Sequence, residues 1–181
     1  MDSIDKKILL HLQGSARKRN VELARELNIA PSTVMERIRR MEESGLIQGY
    51  RGIINPEMIG LSIQAFIAVS LIRHDVNIIK KFEESIQEIS HVCACYHLAG
   101  RFDYLLHVVA QNQKQMGEIV KKWIASIPGI GKVETFLLLS EVKPDSGWPI
   151  EQDMFSYSGE EKNSNKNINL KRGVYAKKND S

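Results

Sequence analysis

The stretch that decides the fold is Asn20–Gly45, NVELARELNIAPSTVMERIRRMEESG. It reads as two amphipathic helices broken at Asn28-Ile29-Ala30. The first is expected to open at Asn20, whose side-chain oxygen can accept from free amides of the opening turn, with Glu22 near the positive helix end. Val21, Leu23, Ala24 and Leu27 supply its buried face. Pro31 suits the first position of the second helix, because no amide is needed there and its φ is already helical. Val34, Ile38 and Met41 then recur at helical spacing, which turns Ser32, Glu36, Arg39, Arg40 and Glu43 the other way and leaves Thr33 and Arg37 on the flank. Such a pair, whose second helix shows short polar and guanidinium side chains, matches helix-turn-helix docking in the major groove of double-stranded DNA. Arginine is the side chain best shaped for guanine O6/N7 or for phosphate. The DNA-contacting set is therefore expected to be Ser32, Thr33, Glu36, Arg37, Arg39 and Arg40. Taken alone, a helix this rich in Arg and Glu is also what an ordinary solvated surface looks like.

The flanks turn the balance toward DNA. Asp2 or Ser3 can cap a preceding helix that buries Ile4, Ile8, Leu9 and Leu12 and leaves Asp5, Lys6 and Lys7 in solvent. Gly45 is a good left-handed stop. Beyond it, residues 46–50 and 53–56 look like two short strands around Arg51-Gly52, making residues 1–52 a winged helix-turn-helix domain. The next residues, 53–61, form a linker.

From residue 62 the hydrophobic period changes. Ile63, Ala65, Ile67, Val69 and Leu71 alternate as a strand does, and Ile78, Phe82, Ile86 and Ile89 follow at helical spacing over residues 77–89. Strands over 92–98 and 103–110 are joined by Ala99-Gly100-Arg101-Phe102, a link that suits an antiparallel hairpin. A helix over 113–126 is expected to bury Met116, Ile119, Val120, Trp123 and Ile127, and Pro128-Gly129 stops it. A last strand over 131–139 puts Val133, Thr135, Leu137 and Leu139 on one face. The order β-α-β-β-α-β over 62–142 is ferredoxin-like, with both helices on one side of the sheet, so the overall class is α+β. Phe66, Phe136 and Leu138 would then meet water on the other side, which favours pairing of two sheets in a dimer.

Composition fits a soluble cytoplasmic protein. Its 181 residues allow two small cores, no apolar run approaches a membrane span, and nothing resembles a secretory signal. Cys93 and Cys95 are one residue apart on an expected strand, a poor geometry for a disulfide and a pattern at home in a reducing compartment. A net charge of +3 implies a local basic face rather than a general affinity for polyanions. From Glu141 onward seven basic residues balance seven acidic ones, so charge does not make residues 143–181 a DNA-binding arm. That tail is expected to be polar and partly disordered, with Trp148, Phe155 and Tyr157 leaving open a strap across a neighbouring subunit.

With these elements in place, the chain resembles the leucine-responsive/asparagine-responsive (Lrp/AsnC) family of transcription regulators over residues 1–142. The resemblance rests on Ile4-Asp5 with Ile8-Leu9, Glu22-Leu23-Ala24, Ser32-Thr33-Val34 with Arg37, Gly45-Leu46-Ile47 with Gly49-Tyr50, Asn55-Pro56, and above all Gly100-Arg101-Phe102-Asp103-Tyr104-Leu105-Leu106. It implies regulation of amino-acid-related metabolism by a sequence-specific DNA-binding protein. It also implies dimers that assemble further, often to octamers, and a small effector, frequently an amino acid, bound between dimers near the Gly100–Asp103 hairpin.

The effector set is accordingly Gly100, Arg101, Phe102, Asp103, Tyr104 and Thr135. Gly100 allows close backbone approach, exposed amides can meet a carboxylate and Asp103 can offset an ammonium. Plain turn chemistry accounts for the same residues equally well. Two departures from the family pattern bear on the ligand: Arg101 stands where a member of the family carries an acid, and Val133 replaces the first Thr of the Thr-x-Thr commonly found on the final strand, leaving Thr135. A cationic effector would be repelled by Arg101, which points to an apolar or acidic amino acid.

Three other readings compete with this one. His91-x-Cys93-x-Cys95-x-His97 offers alternating zinc donors, but pairs about 6.6 Å apart along one strand are too wide to close on one ion unaided, so no metal and no cofactor is expected. Some sirohaem decarboxylases resemble the same two-domain architecture and use histidines in the second domain, and His97 and His107 could be offered as acids. No nucleophile-base pattern or phosphate loop accompanies them, so an enzyme is not expected. A low-specificity architectural DNA-binding protein is the remaining alternative.

Overall fold

Asp2 starts the chain's first helix, α1 (Ser3–Gly14). Its carboxylate accepts from the amides of Ile4 and Asp5 (both 2.9 Å), while the Asp5 carboxylate reaches back to the Asp2 amide at 3.0 Å. This reciprocal capping box satisfies donors that a helix start otherwise leaves open. Ile8 is fully buried, but Asp5 and Lys6, expected in solvent, are buried as well. Arg37 supplies the reason for Asp5, as described below.

The computed structural model describes residues 1–150. They fall into two compact units, Met1–Leu46 with residues 147–150, and Ile47–Ser146. In the first unit α1 packs on α2 (Asn20–Leu27) and α3 (Pro31–Glu43), with Ile8, Leu23, Ala24, Val34 and Met41 at its centre. Asn20 is the first helical residue rather than the cap; Arg19 occupies the cap position without a side-chain bond and pairs with Glu22 instead. Val21 is exposed, because it lies about 200° around the helix from buried Leu23. Asn28 takes a left-handed conformation (φ 54°) that ends α2, and Pro31 opens α3. Gly45, at φ 74°, follows its cap. The Gln13 carboxamide pairs with the Trp148 backbone in both directions, accepting from the amide at 2.5 Å and donating to the carbonyl at 3.0 Å. Phe155 and Tyr157, the other aromatics expected to serve a strap, lie outside the described residues.

The two wing strands expected over 46–50 and 53–56 are not formed. The segment carries no strand pairing and passes into one 3-10 turn, Glu57–Ile59, with Ile53 and Ile54 exposed. Strand propensity is not sufficient where no neighbouring strand receives the backbone groups.

The second unit has the expected topology. Strands β1 (Ile63–Leu71), β2 (Val92–His97), β3 (Tyr104–Ala110) and β4 (Ile130–Leu137) form one antiparallel sheet in the order β2-β3-β1-β4. Helices α4 (Val76–Gln87) and α5 (Gln113–Glu118) cover one face, where Phe82, Ile86, Met116 and Ile119 meet Ala65, Ile67, Val69, Leu106 and Val108. Val133, Thr135 and Leu137 lie opposite Val69, Ile67 and Ala65, as their alternation predicted, whereas Leu139 falls beyond the strand end and is exposed. Gly129, at φ 96°, turns the chain into β4 where a Cβ would overlap the Ile78 side chain.

One helix departs from its expected form. After α5 the chain continues as a π-helical turn, Ile119–Ile124, closed by a bond from the Ala125 amide to the Val120 carbonyl. The wider turn places core residues five apart, so Ile119 and Ile124 are buried while Trp123, expected in the core, is 44% exposed and meets the edge of His91.

Candidate nucleic-acid interface and effector hairpin

The three arginines of α3 are in different electrostatic states. Arg39 is bracketed on its own helix, bonding Glu36 through two nitrogens and Glu43 through a third, all within 3.2 Å. Glu36 is held below its ordinary pKa chiefly by Arg39, with Arg40 adding to the effect. Arg37 is clamped from a different helix: its Nη1 donates to Asp2 Oδ2 at 2.6 Å and to Asp5 Oδ1 at 2.7 Å. Its side chain is 20% exposed, against 8% for Asp5 and 51% for Asp2. The Asp5 bond, then the Asp2 bond, raise the guanidinium above its ordinary pKa, and the Asp5 amide followed by Arg37 lowers that of Asp2. The Arg40 guanidinium makes no hydrogen bond or ion pair among the described residues.

Ser32, Thr33, Glu36, Arg37 and Arg40 line one shallow hollow on this helix, so five of the six residues expected at DNA converge there, with Arg39 outside it. Asp2 and Asp5 are the members that sequence reasoning missed. Their signal was available, since N-cap and third-position acids three residues apart are a capping-box spacing. What spacing could not reveal is their reach to Arg37.

The Gly100–Asp103 hairpin divides into an outward and an inward part. Leu98 N–H donates to the Asp103 carbonyl at 2.8 Å and closes the loop. Apart from its two chain neighbours, nothing in the described chain would lie within 4 Å of a Cβ at Gly100, so its openness faces outward. Arg101 projects with 73% exposure, its guanidinium 4.9 Å from the Phe102 ring centre and 2.9 Å from Glu134 on β4. Lys132 reaches the same Glu134 oxygen at 2.6 Å, and these two cations, Lys132 first, hold the carboxyl below its ordinary pKa against modest burial.

Asp103 and Tyr104 point into the fold. The Asp103 carboxylate accepts from the Leu71 amide and bonds His74, each at 2.7 Å, while its own amide donates to Val69. Burial works against its charge, but the Leu71 amide and then His74 outweigh this, and its pKa lies below the ordinary value. Tyr104 is 1% exposed, stacked on His97 and packed against the tilted ring of Phe82, with its hydroxyl donating to Glu83 at 2.8 Å. Burial and then Glu83 push that phenol well above its usual range. Thr135 is exposed on β4.

The alternating His and Cys residues do not converge. A bulge between Val92 and Ala94 breaks the alternation; Cys95 and His97 lie opposite Leu106 and Tyr104, whereas Ala94 lies opposite His107. Among the described residues no group of three His, Cys, Asp or Glu could hold a metal ion. His107 stacks on Phe66 and bonds Gln64, and burial lowers its pKa. No helix among the described residues is long and apolar enough to cross a membrane.

Residues 1–48 match a winged helix-turn-helix DNA-binding family model, and residues 64–148 match the Lrp/AsnC ligand-binding domain. The leucine-responsive regulatory proteins of Klebsiella pneumoniae and Escherichia coli K12 are 31% identical over 143 residues, covering 79% of this chain and 87% of theirs. A transcriptional regulator from Neisseria meningitidis, solved as a complex with L-Met, is 30% identical with a TM-score of 0.76 over 80% of this chain and 93% of its own. An AsnC-family regulator from Agrobacterium tumefaciens superposes with a TM-score of 0.77 at 28% identity, over 82% and 97% of the two chains.

Proposed function

The chain belongs to the Lrp/AsnC family of DNA-binding transcription regulators, and from that premise we propose how its surfaces divide the work. Helix α3 enters the major groove, with Ser32 and Thr33 at its N-terminal end facing base edges and Arg40 neutralising phosphate. The observation that carries this reading is the pairing pattern: of the three α3 arginines, Arg40 alone is without an ion-pair partner among the described residues, beside the hollow's short polar groups. Arg39 and Glu36 shape the rim. The DNA-binding domain takes residues 1–52, and the sensing and assembly domain residues 62–142.

The uncovered sheet face assembles the protein. Phe66 and Phe136 are direct cross-strand neighbours on it, and Phe136 is half-exposed. A second copy of that face supplies the cover, giving a dimer that spaces two α3 helices along DNA and that assembles further. The working compartment is the cytoplasm, where the free thiols Cys93 and Cys95 stay reduced.

The effector is an amino acid with a neutral or acidic side chain, bound between dimers at the outward part of the hairpin. Gly100, Arg101 and Phe102 supply its exposed surface and Thr135 a hydroxyl, while Asp103 and Tyr104 frame the site through the fold. Arg101 and Lys132 against Glu134 leave one net positive charge beside the loop, which disfavours a lysine-like ligand. The L-Met complex of the Neisseria meningitidis relative supports the ligand class. A thermal-shift screen of the full chain against the amino acids, run beside size-exclusion profiles, tests this. A stabilising neutral or acidic amino acid that changes assembly is expected; preferential stabilisation by lysine or arginine would overturn it.

A further inference from the structure

Arg37 lines the α3 hollow together with Ser32, Thr33 and Arg40, yet its charge is already met from within the chain. Two carboxylates touch one guanidinium nitrogen, and both are fixed by the helix start they cap: Asp2 by its bonds to the Ile4 and Asp5 amides, Asp5 by the Asp2 amide. This is the charge arrangement that a DNA phosphate would otherwise supply. Resting on the assignment of α3 to DNA, we propose that Asp2 and Asp5 act as an internal substitute for phosphate, withholding Arg37 from the DNA backbone and thereby damping non-specific binding.

Three observations give the clamp this reach. The Asp5 side chain is largely removed from water, so its hold on Arg37 is screened less than a surface pair's. Arg37 keeps a fifth of its side chain exposed at the hollow, so phosphate and carboxylate compete for one accessible group. Arg39 is likewise saturated by its own helix, which leaves Arg40 as the α3 cation able to release counterions without breaking an existing pair. Base-edge contacts made through Ser32 and Thr33 are not taxed by the clamp, whereas sequence-independent phosphate contacts are. Asp2 and Asp5 are thus positioning residues that favour specific over non-specific DNA.

The test uses the full chain, a duplex selected for tight binding and a duplex of scrambled sequence, titrated from 50 to 200 mM salt. Asp2→Asn is the informative variant: asparagine is as good an N-cap as aspartate, so the α1 start survives while one of the two charges facing Arg37 is lost. It is expected to steepen the log–log salt slope on scrambled DNA by up to about 0.9, a change of up to about threefold in affinity ratio across that range, and to narrow the gap between selected and scrambled DNA. In an Arg37→Gln background the same substitution is expected to change nothing. A slope change that persists without Arg37 would mean generic charge and would overturn the proposal. Arg40→Ala separates the two levels. If it flattens the slope while Asp2→Asn is silent, the clamp is wrong and the α3 assignment stands. If neither variant moves the slope, both fail.

Discussion

Replacing Asp103 by alanine separates a fold-bearing carboxylate from a ligand-bearing one. The side chain is 17% exposed and joins the hairpin to the end of β1 through the Leu71 amide, with His74 on its other oxygen. A hydrogen bond to a charged acceptor contributes about 1.5–3 kcal/mol, and its loss leaves the Leu71 N–H without an acceptor. The His74 pair, 65% exposed on the histidine side, adds at most about 1 kcal/mol. Asp103→Ala should therefore destabilise the sheet unit by about 2–3 kcal/mol, lowering its melting temperature by about 10 °C or more at neutral pH. Asp103→Asn keeps an acceptor for Leu71 and should cost about 1 kcal/mol. The pH dependence has a definite sign. Because the folded carboxyl titrates below its unfolded value of about 3.9, its contribution is fully present above that pH and is lost as the pH falls through the folded value. The gap between wild type and Asp103→Ala, followed by differential scanning calorimetry, should thus be open at neutrality and close below about pH 4. An alanine variant that melts like the wild type but no longer responds to the effector would refute this reasoning and return Asp103 to the ligand.

The π-helical turn predicts that Ile124→Ala costs about 2–5 kcal/mol while Trp123→Ala costs about 1 kcal/mol, measured by denaturant unfolding; equal losses would mean that Trp123 is a core residue after all. Phe136→Glu should reduce the assembled fraction in light scattering while the sheet unit keeps its fold, because the substitution puts a charge on the face assigned to a second copy; unchanged mass would move the seam elsewhere. Tyr104→Phe, which removes only the hydroxyl bonded to Glu83, should lower stability by about 1 kcal/mol with no loss of effector response, and a lost response would place Tyr104 at the ligand.

Much of this architecture was legible because it is written in local periods. The alternation of Ile63 to Leu71 and the helical spacing of Ile78, Phe82 and Ile86 became β1 and α4, and the short link after β2 required a hairpin. The errors share a cause of the opposite kind. Residues 46–56 have strand composition but no strand to pair with among the described residues, and a period cannot report a missing neighbour. Trp123 fits a 3.6-residue repeat from Met116 and Ile119; the π turn at Ile119–Ile124 changes the period midway and exposes it.

The candidate site was less legible for a further reason, which is that charge state belongs to constellations. Six residues of α3 could be named from its exposed face, but their chemical availability differs by partner: Arg39 is met three and four residues away, where helical spacing could have shown it, and Arg37 by acids 32 and 35 residues upstream. The same holds at the hairpin, where Asp103 is spent on an amide 32 positions earlier. A motif therefore identifies which side chains can reach a ligand, whereas the competing groups that decide whether they are free to do so come from elsewhere in the fold. For a regulator that must reject most of the DNA it meets, the competition is itself functional: each cation already paired within the protein subtracts from binding that every sequence shares and leaves intact what base edges alone can supply.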